Sequence, residues 1–133
     1  PRTIGAVFGE SHTTNGIPYT WLFSHGLTMD DASETNRADS DALNNLQEWI
    51  CATDPTNKDS FLGMTGISMT SGNVRVSWKG GVNVTQCLER TTSLTSPVAW
   101  TVFYTNVPPT LTNYMTDTTA TNSVRFYRIK AYR

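Results

Sequence analysis

The chain has 133 residues, a formal net charge of −1, and charged residues at only 16%. That length suits one domain or two small, closely packed ones. No apolar run is long enough to cross a bilayer, and the basic residues are too scattered to form a nucleic-acid footprint; only Arg125, Arg128 and Lys130 are near neighbours. The average charge hides an asymmetry. Residues 1–60 carry nine acids and three Lys/Arg, whereas 61–133 carry Glu89 and Asp117 against seven Lys/Arg. Opposite signs favour docking of one half on the other. Threonine occurs 22 times and suits half-buried pleated strands. The chain opens at Pro1, with no initiator methionine and no signal peptide, which points to a piece of a longer protein.

In chain order, residues 2–8 alternate weakly and could form a strand that returns to a later sheet or be a disordered linker. Ile17–Leu27 reads as a short helix, with Pro18 in its first turn and Gly26 at its stop. Asp30, Asp31 and Glu34 read as a solvated, acidic helix start. Asp39-Ser40-Asp41-Ala42-Leu43-Asn44-Asn45-Leu46-Gln47-Glu48 then leads into a third helix, whose apolar face is Leu43, Leu46, Trp49 and Ile50. Thr53-Asp54-Pro55 ends it, because proline cannot continue a helix and disfavours helical geometry just before itself.

The second half reads as six short strands: 61–67, 73–78, 84–90, 99–104, 111–117 and 123–132. Val74, Val76 and Trp78 alternate with Arg75, Ser77 and Lys79, the pattern of a half-buried antiparallel strand. Trp78 and Trp100 are expected in the core. Val107-Pro108-Pro109 interrupts pairing. The expected fold class is therefore α+β: short N-terminal helices with their acidic loop (1–60) packed on an antiparallel β-sandwich (61–133), which a strand from 2–8 would complete.

Oxygen-bearing side chains at Asp39, Asp41, Asn45 and Glu48 can turn toward one point, as in a calcium loop. Asp-x-Asp-x-Leu-Asn-Asn-Leu-Gln-Glu-Trp-Ile-x-x-Thr-Asp-Pro-Thr-Asn resembles the short calcium motif of secreted modular bacterial proteins. It is similar to the EF-hand-like loops of dockerins and thrombospondin type 3 repeats. In that family the segment often precedes a small fibronectin type III-like sandwich near the C-terminus of a large extracellular protein, of the kind common in Verrucomicrobia and Lentisphaerae. The resemblance implies a secreted or cell-surface setting and calcium as cofactor. The motif is degenerate: Arg37 stands where the first carboxylate belongs, Ala42 where the turn glycine belongs, and Ser40 at another small-residue position. The opposing expectation is that Asp39 caps the helix, Glu48 sits on its surface and no ion binds.

No nucleophile elbow or phosphate loop is present. His12 and His25 lie outside metal-ligand spacing, and no pair of carboxylates is placed for glycosidic chemistry. The expectation is a non-enzyme. Cys51 and Cys87 could be joined by a disulfide or be two separate thiols, and spacing does not choose between them.

Three functions fit. The first is an accessory module of a polysaccharide-processing protein that binds a polysaccharide or other glycan through aromatic faces, with Tyr104, Tyr114, Phe126 and Tyr132 as the freest rings. The second is a calcium-rigidified spacer or C-terminal anchor that contacts other domains of its parent protein. The third, a dockerin-like partner module, is disfavoured because only one loop is present. Neither nucleic acid nor a membrane is an expected partner.

Overall fold

A computed structural model describes residues 9–120 and 124–133. The expected strand over 2–8 lies outside the described residues. The N-terminal part holds helix α1 (Tyr19–Ser24), a 3₁₀ turn (Asp31–Glu34) and helix α2 (Asn45–Cys51). Six strands follow: β1 (Gly63–Thr70), β2 (Asn73–Lys79), β3 (Thr85–Thr91), β4 (Thr101–Asn106), β5 (Tyr114–Asp117) and β6 (Phe126–Tyr132). They form two three-stranded antiparallel sheets, ordered β1-β2-β5 and β4-β3-β6. This is a small β-sandwich. β1 and β2 are joined by Ser71 and Gly72, both at positive φ (51° and 80°). Two such residues make the hairpin turn whose twist matches the flanking strands.

The period-2 pattern places the core. Val74, Val76 and Trp78 of β2 point inward with Leu88 of β3 and Ala120, and Phe103, Tyr104, Met115, Tyr127 and Ile129 pack around them. Trp78 Nε1 donates to Gln86 Oε1 at 2.8 Å, so the buried indole is satisfied. Trp100 is not core. It precedes β4, is half-buried, and lies under the Arg128 guanidinium at 4.2 Å.

A polar network sits at one end of the core. Asp117 is fully buried and accepts hydrogen bonds from Tyr127 Oη (2.9 Å) and from Thr119 N and Oγ1 (2.9 and 2.8 Å), and it pairs with Arg90 at 2.8 Å. Burial alone would raise its pKa; the bonds from Arg90, Thr119 and Tyr127 outweigh burial and hold it at about 2. Tyr127 moves the other way, to about 12, through burial and through its bond to Asp117.

Among the described residues, the helical part touches the sandwich through several contacts. Gly81, between β2 and β3, lies against the end of α2: a Cβ added there would stand 2.1 Å from the Ala52 carbonyl oxygen. Arg133 stacks on Trp49 at 4.8 Å. Lys79 Nζ donates to the Asp59 carbonyl. Among the described residues, the ion pairs lie within a half: Lys58–Asp59 in one, and Arg90–Asp117, Arg128–Glu89 and Lys130–Glu89 in the other. Backbone packing and cation–π stacking therefore make the contact; the opposite net charges contribute no ion pair to it.

Two outcomes follow. Gly81→Ala forces a methyl into backbone that has no side chain to move aside, and should lower stability by about 2 kcal/mol in urea unfolding. Asp117 has a depressed folded-state pKa, so its contribution is complete above the unfolded value near 3.8 and is lost as pH falls toward 2. Asp117→Asn should flatten part of the acid limb between pH 4 and 2 in urea midpoints measured against pH.

Candidate functional site

The loop between the 3₁₀ turn and α2 is closed by local hydrogen bonds. Asp30 caps the 3₁₀ turn, accepting from Ser33 N at 2.9 Å. Asn45 N donates to the Asn36 carbonyl at 2.9 Å and ties the two ends of the loop together. Within it, Asp39 Oδ1 accepts from Asp41 N (3.0 Å), and Asp41 Oδ1 accepts from Leu43 N (2.6 Å). These are consecutive Asx turns. Asn44 is the cap of α2, in a reciprocal box with Gln47 at 2.9 Å in both directions. Asp39 therefore does not cap the helix. Ala52, at φ 53°, ends α2 in the left-handed region.

The buried side of α2 differs from the apolar face expected from periodicity. Leu43, Leu46, Trp49 and Ile50 are half-buried, whereas Asn45 (2% exposed) and Glu48 (1%) are buried together with Cys51. Glu48 is thus not a surface residue. The helix turns two polar residues inward, toward its own loop. Asn45 Nδ2 donates to the Ser33 carbonyl at 2.8 Å, which assigns its Oδ1 to the opposite side.

The sequence-predicted oxygens are left without partners. Asp39 Oδ2, Asp41 Oδ2, Asn45 Oδ1 and both carboxylate oxygens of Glu48 are buried and accept no hydrogen bond. Burying such groups unpaired costs several kcal/mol each if they are charged. Burial, joined by the charges of Asp41 and Asp39, pushes the Glu48 carboxyl up to about 7. The Thr53 hydroxyl donates to the Glu48 backbone carbonyl at 3.3 Å and leaves the carboxylate unpaired. Cys51 is raised to about 11, by burial and then by Glu48.

Among the described residues, no three His, Cys, Asp or Glu side chains form a ready-made metal cage. The loop supplies a hard-oxygen donor set of three carboxylates and one carboxamide that is not drawn onto a single point. That set fits calcium, which takes six to eight oxygens in flexible geometry. It does not fit zinc, which prefers nitrogen and sulfur.

Arg37 stands beside the site. It is exposed and lines a neighbouring polar hollow with Thr28, Ser33, Asn36 and Asn45. No carboxylate pairs with it among the described residues. Ala42 is not at positive φ, so the loop turns without the left-handed residue that a calcium-loop glycine normally supplies. A 3₁₀ turn precedes the loop where an EF-hand would have a helix.

The other expected features fall apart in space. Asp31 is exposed at the start of the 3₁₀ turn, as expected, whereas Glu34 is buried. Asp31 accepts from Thr14 N and Oγ1 (2.8 and 2.7 Å), and Glu34 from Asn15 N and Nδ2 (2.7 and 2.5 Å), which pins the 13–16 turn. Cys51 and Cys87 are both buried free thiols, with no disulfide between them. The four aromatic candidates occupy three surfaces. Tyr104 pairs with Leu88 and packs inward, 6.2 Å from Trp78. Tyr114 pairs with Ser77 on the outside of the other sheet, beneath Arg75 at 3.8 Å. Phe126 and Tyr132 share the outer face of β6 but sit at its two ends, about 20 Å apart at the rise of a strand. Trp100 under Arg128 is an outer-face ring that periodicity had assigned to the core.

No helix among the described residues is long and apolar enough to cross a membrane. No protein-family model matches the chain, and neither a curated protein nor a solved structure matches it.

The capping box sets the angle at which α2 presents Asn45 and Glu48. Asn44→Ala should cost about 1 kcal/mol, read as a lower urea midpoint in chelator.

Proposed function

We propose that this chain is a non-catalytic accessory module whose acidic loop binds calcium and thereby fixes the helical segment on the sandwich. One observation carries the reading: five buried side-chain oxygens from Asp39, Asp41, Asn45 and Glu48 lack any hydrogen-bond partner. Native structures rarely tolerate such a concentration of orphaned acceptors, and an unseen ion is among the standard explanations. Asp39, Asp41, Asn45 and Glu48 would hold the ion, and the Leu43 carbonyl occupies the position that contributes a backbone oxygen in loops of this spacing. Bound calcium supplies a divalent charge that pairs with the buried carboxylates. The chain's own part is to aim the oxygens: the Asx turns orient Asp39 and Asp41, and the bond to Ser33 orients Asn45.

The consequence is mechanical. The C-terminal end of α2 rests on Gly81 and Trp49 stacks on Arg133, so tightening the loop around α2 also stiffens the seam with the sandwich. The resemblance of residues 39–57 to dockerin and thrombospondin type 3 loops, followed by a two-sheet unit resembling fibronectin type III domains, supports a place in a secreted modular protein. Spacing or anchoring then ranks above carbohydrate binding, because the four candidate rings do not share a face.

Saturating calcium, at about 100 times the dissociation constant, should stabilise the protein by about 3 kcal/mol and raise its melting midpoint by about 10 °C. Magnesium should substitute poorly, since it demands tighter octahedral geometry. Glu48→Gln separates the roles: it should abolish the calcium shift, yet leave the protein in chelator at pH 8 as stable as the parent or more so, because a buried charge is removed. An unchanged midpoint with calcium, in scanning calorimetry of the parent protein, would refute the reading.

A further inference from the structure

The sandwich is covered on one side and open on the other. Met64, Ile67 and Met69 of β1 register with Trp78, Val76 and Val74, so their side chains point toward the core face of the first sheet. Among the described residues nothing opposes the last two: Ile67 is 64% exposed and Met69 68%. Across from them runs β6, which pairs with β3 on one side; among the described residues no strand pairs with its other edge, and α2 packs against part of β6. Between the two lies a groove of about 560 Å³, lined by Ile67, Met69, Val74, Ala120, Arg125 and Tyr127. On its wall, Arg125 Nε is buried without a partner, while Nη2 donates to the Thr119 carbonyl at 3.1 Å.

These features specify an occupant. An edge strand presents a row of unpaired N–H and C=O groups, and another extended chain satisfies such a row. The exposed Ile67 and Met69 ask for apolar side chains at alternate positions. The orphaned Arg125 donor asks for a carboxylate or carbonyl. The outer face of β6 carries Arg128 and Lys130, which only Glu89 offsets. A second copy of the chain is therefore a poor occupant: two-fold pairing about Ile129 would set Arg128 of one copy opposite Lys130 of the other, and like charges directly across strands repel.

We propose that this groove docks an extended, acidic and apolar-alternating segment of another polypeptide, added beside β6 as the fourth strand of the β4-β3-β6 sheet. The proposal does not depend on the calcium loop.

The test uses the full chain and a fluorescein-labelled peptide, Glu-Val-Glu-Val-Thr-Val-Glu, with one control peptide carrying Lys for Glu and another carrying Pro at its third and fifth positions. Anisotropy measures binding, and amide hydrogen exchange locates it. The acidic peptide should bind and slow exchange at alternate β6 amides. Binding should weaken at least tenfold for the Lys peptide and for Arg125→Ala, and be lost for the Pro peptide and for Ile67→Asp combined with Met69→Asp. Both of those residues are exposed, so the double variant should keep the parent's circular dichroism. Three results would each overturn the proposal: the Pro peptide binding as well as the acidic one, alternate β6 amides already protected in the free monomer, or a dimer in sedimentation equilibrium that Ile67→Asp dissolves. The second would mean that the groove is filled from within the chain, and the third that a second copy fills it.

Discussion

The structure turns on a glutamate that has nowhere to put its charge. Glu48 is buried on a seven-residue helix with neither carboxylate oxygen hydrogen-bonded, and Asp39, Asp41 and Asn45 each leave an oxygen unpartnered in the same loop. Without an ion, such a group relieves itself by holding a proton, which is the physical meaning of its rise to about 7. With a divalent cation it needs no proton. Protonation and, under the proposed reading, a bound cation are alternative ways of settling the same electrostatic conflict.

That helix is the link between the two parts of the molecule. Its N-terminal end is set by the Asn44–Gln47 box and the loop, and its C-terminal end meets Gly81 so closely that a single methyl would not fit. A constraint imposed at Glu48 thus reaches the turn between β2 and β3 through about one turn of helix. The sandwich beyond it is independently stabilised. Its apolar centre is Val76, Trp78 and Leu88, and its polar end is the Asp117–Arg90–Tyr127 network. In that network the carboxylate is satisfied on several sides, and its pKa falls where that of Glu48 rises. The two buried acids show that burial alone does not decide ionisation; the partners do.

Much of this was legible in residue order. Alternation at Val74, Val76 and Trp78 marks β2 and its inward face. Ser71-Gly72 marks the hairpin, and the oxygen spacing at 39, 41, 45 and 48 picks out the side chains that end up buried and orphaned. The misreadings share a cause. Leu46, Trp49 and Ile50 looked like the buried face of α2, because periodicity ranks side chains by polarity and has no knowledge of what lies opposite them. Glu34 looked solvated because its partner, Asn15, is 19 residues away. Trp100 looked like core because alternation places it in a strand from 99, whereas β4 begins at Thr101, two residues later.

Local chemistry in the chain determined where strands, turns and helix caps fall, and which side chains carry hard oxygen donors, since propensity, period and spacing act over a few residues. Only the tertiary structure decided that Asn45 and Glu48 face inward, that Cys51 and Cys87 remain apart, that the four aromatic rings point three ways, and that β1 and β6 leave a groove between them. Those outcomes depend on which surface is opposed by another, and that is settled by sheets and helices meeting across long stretches of sequence.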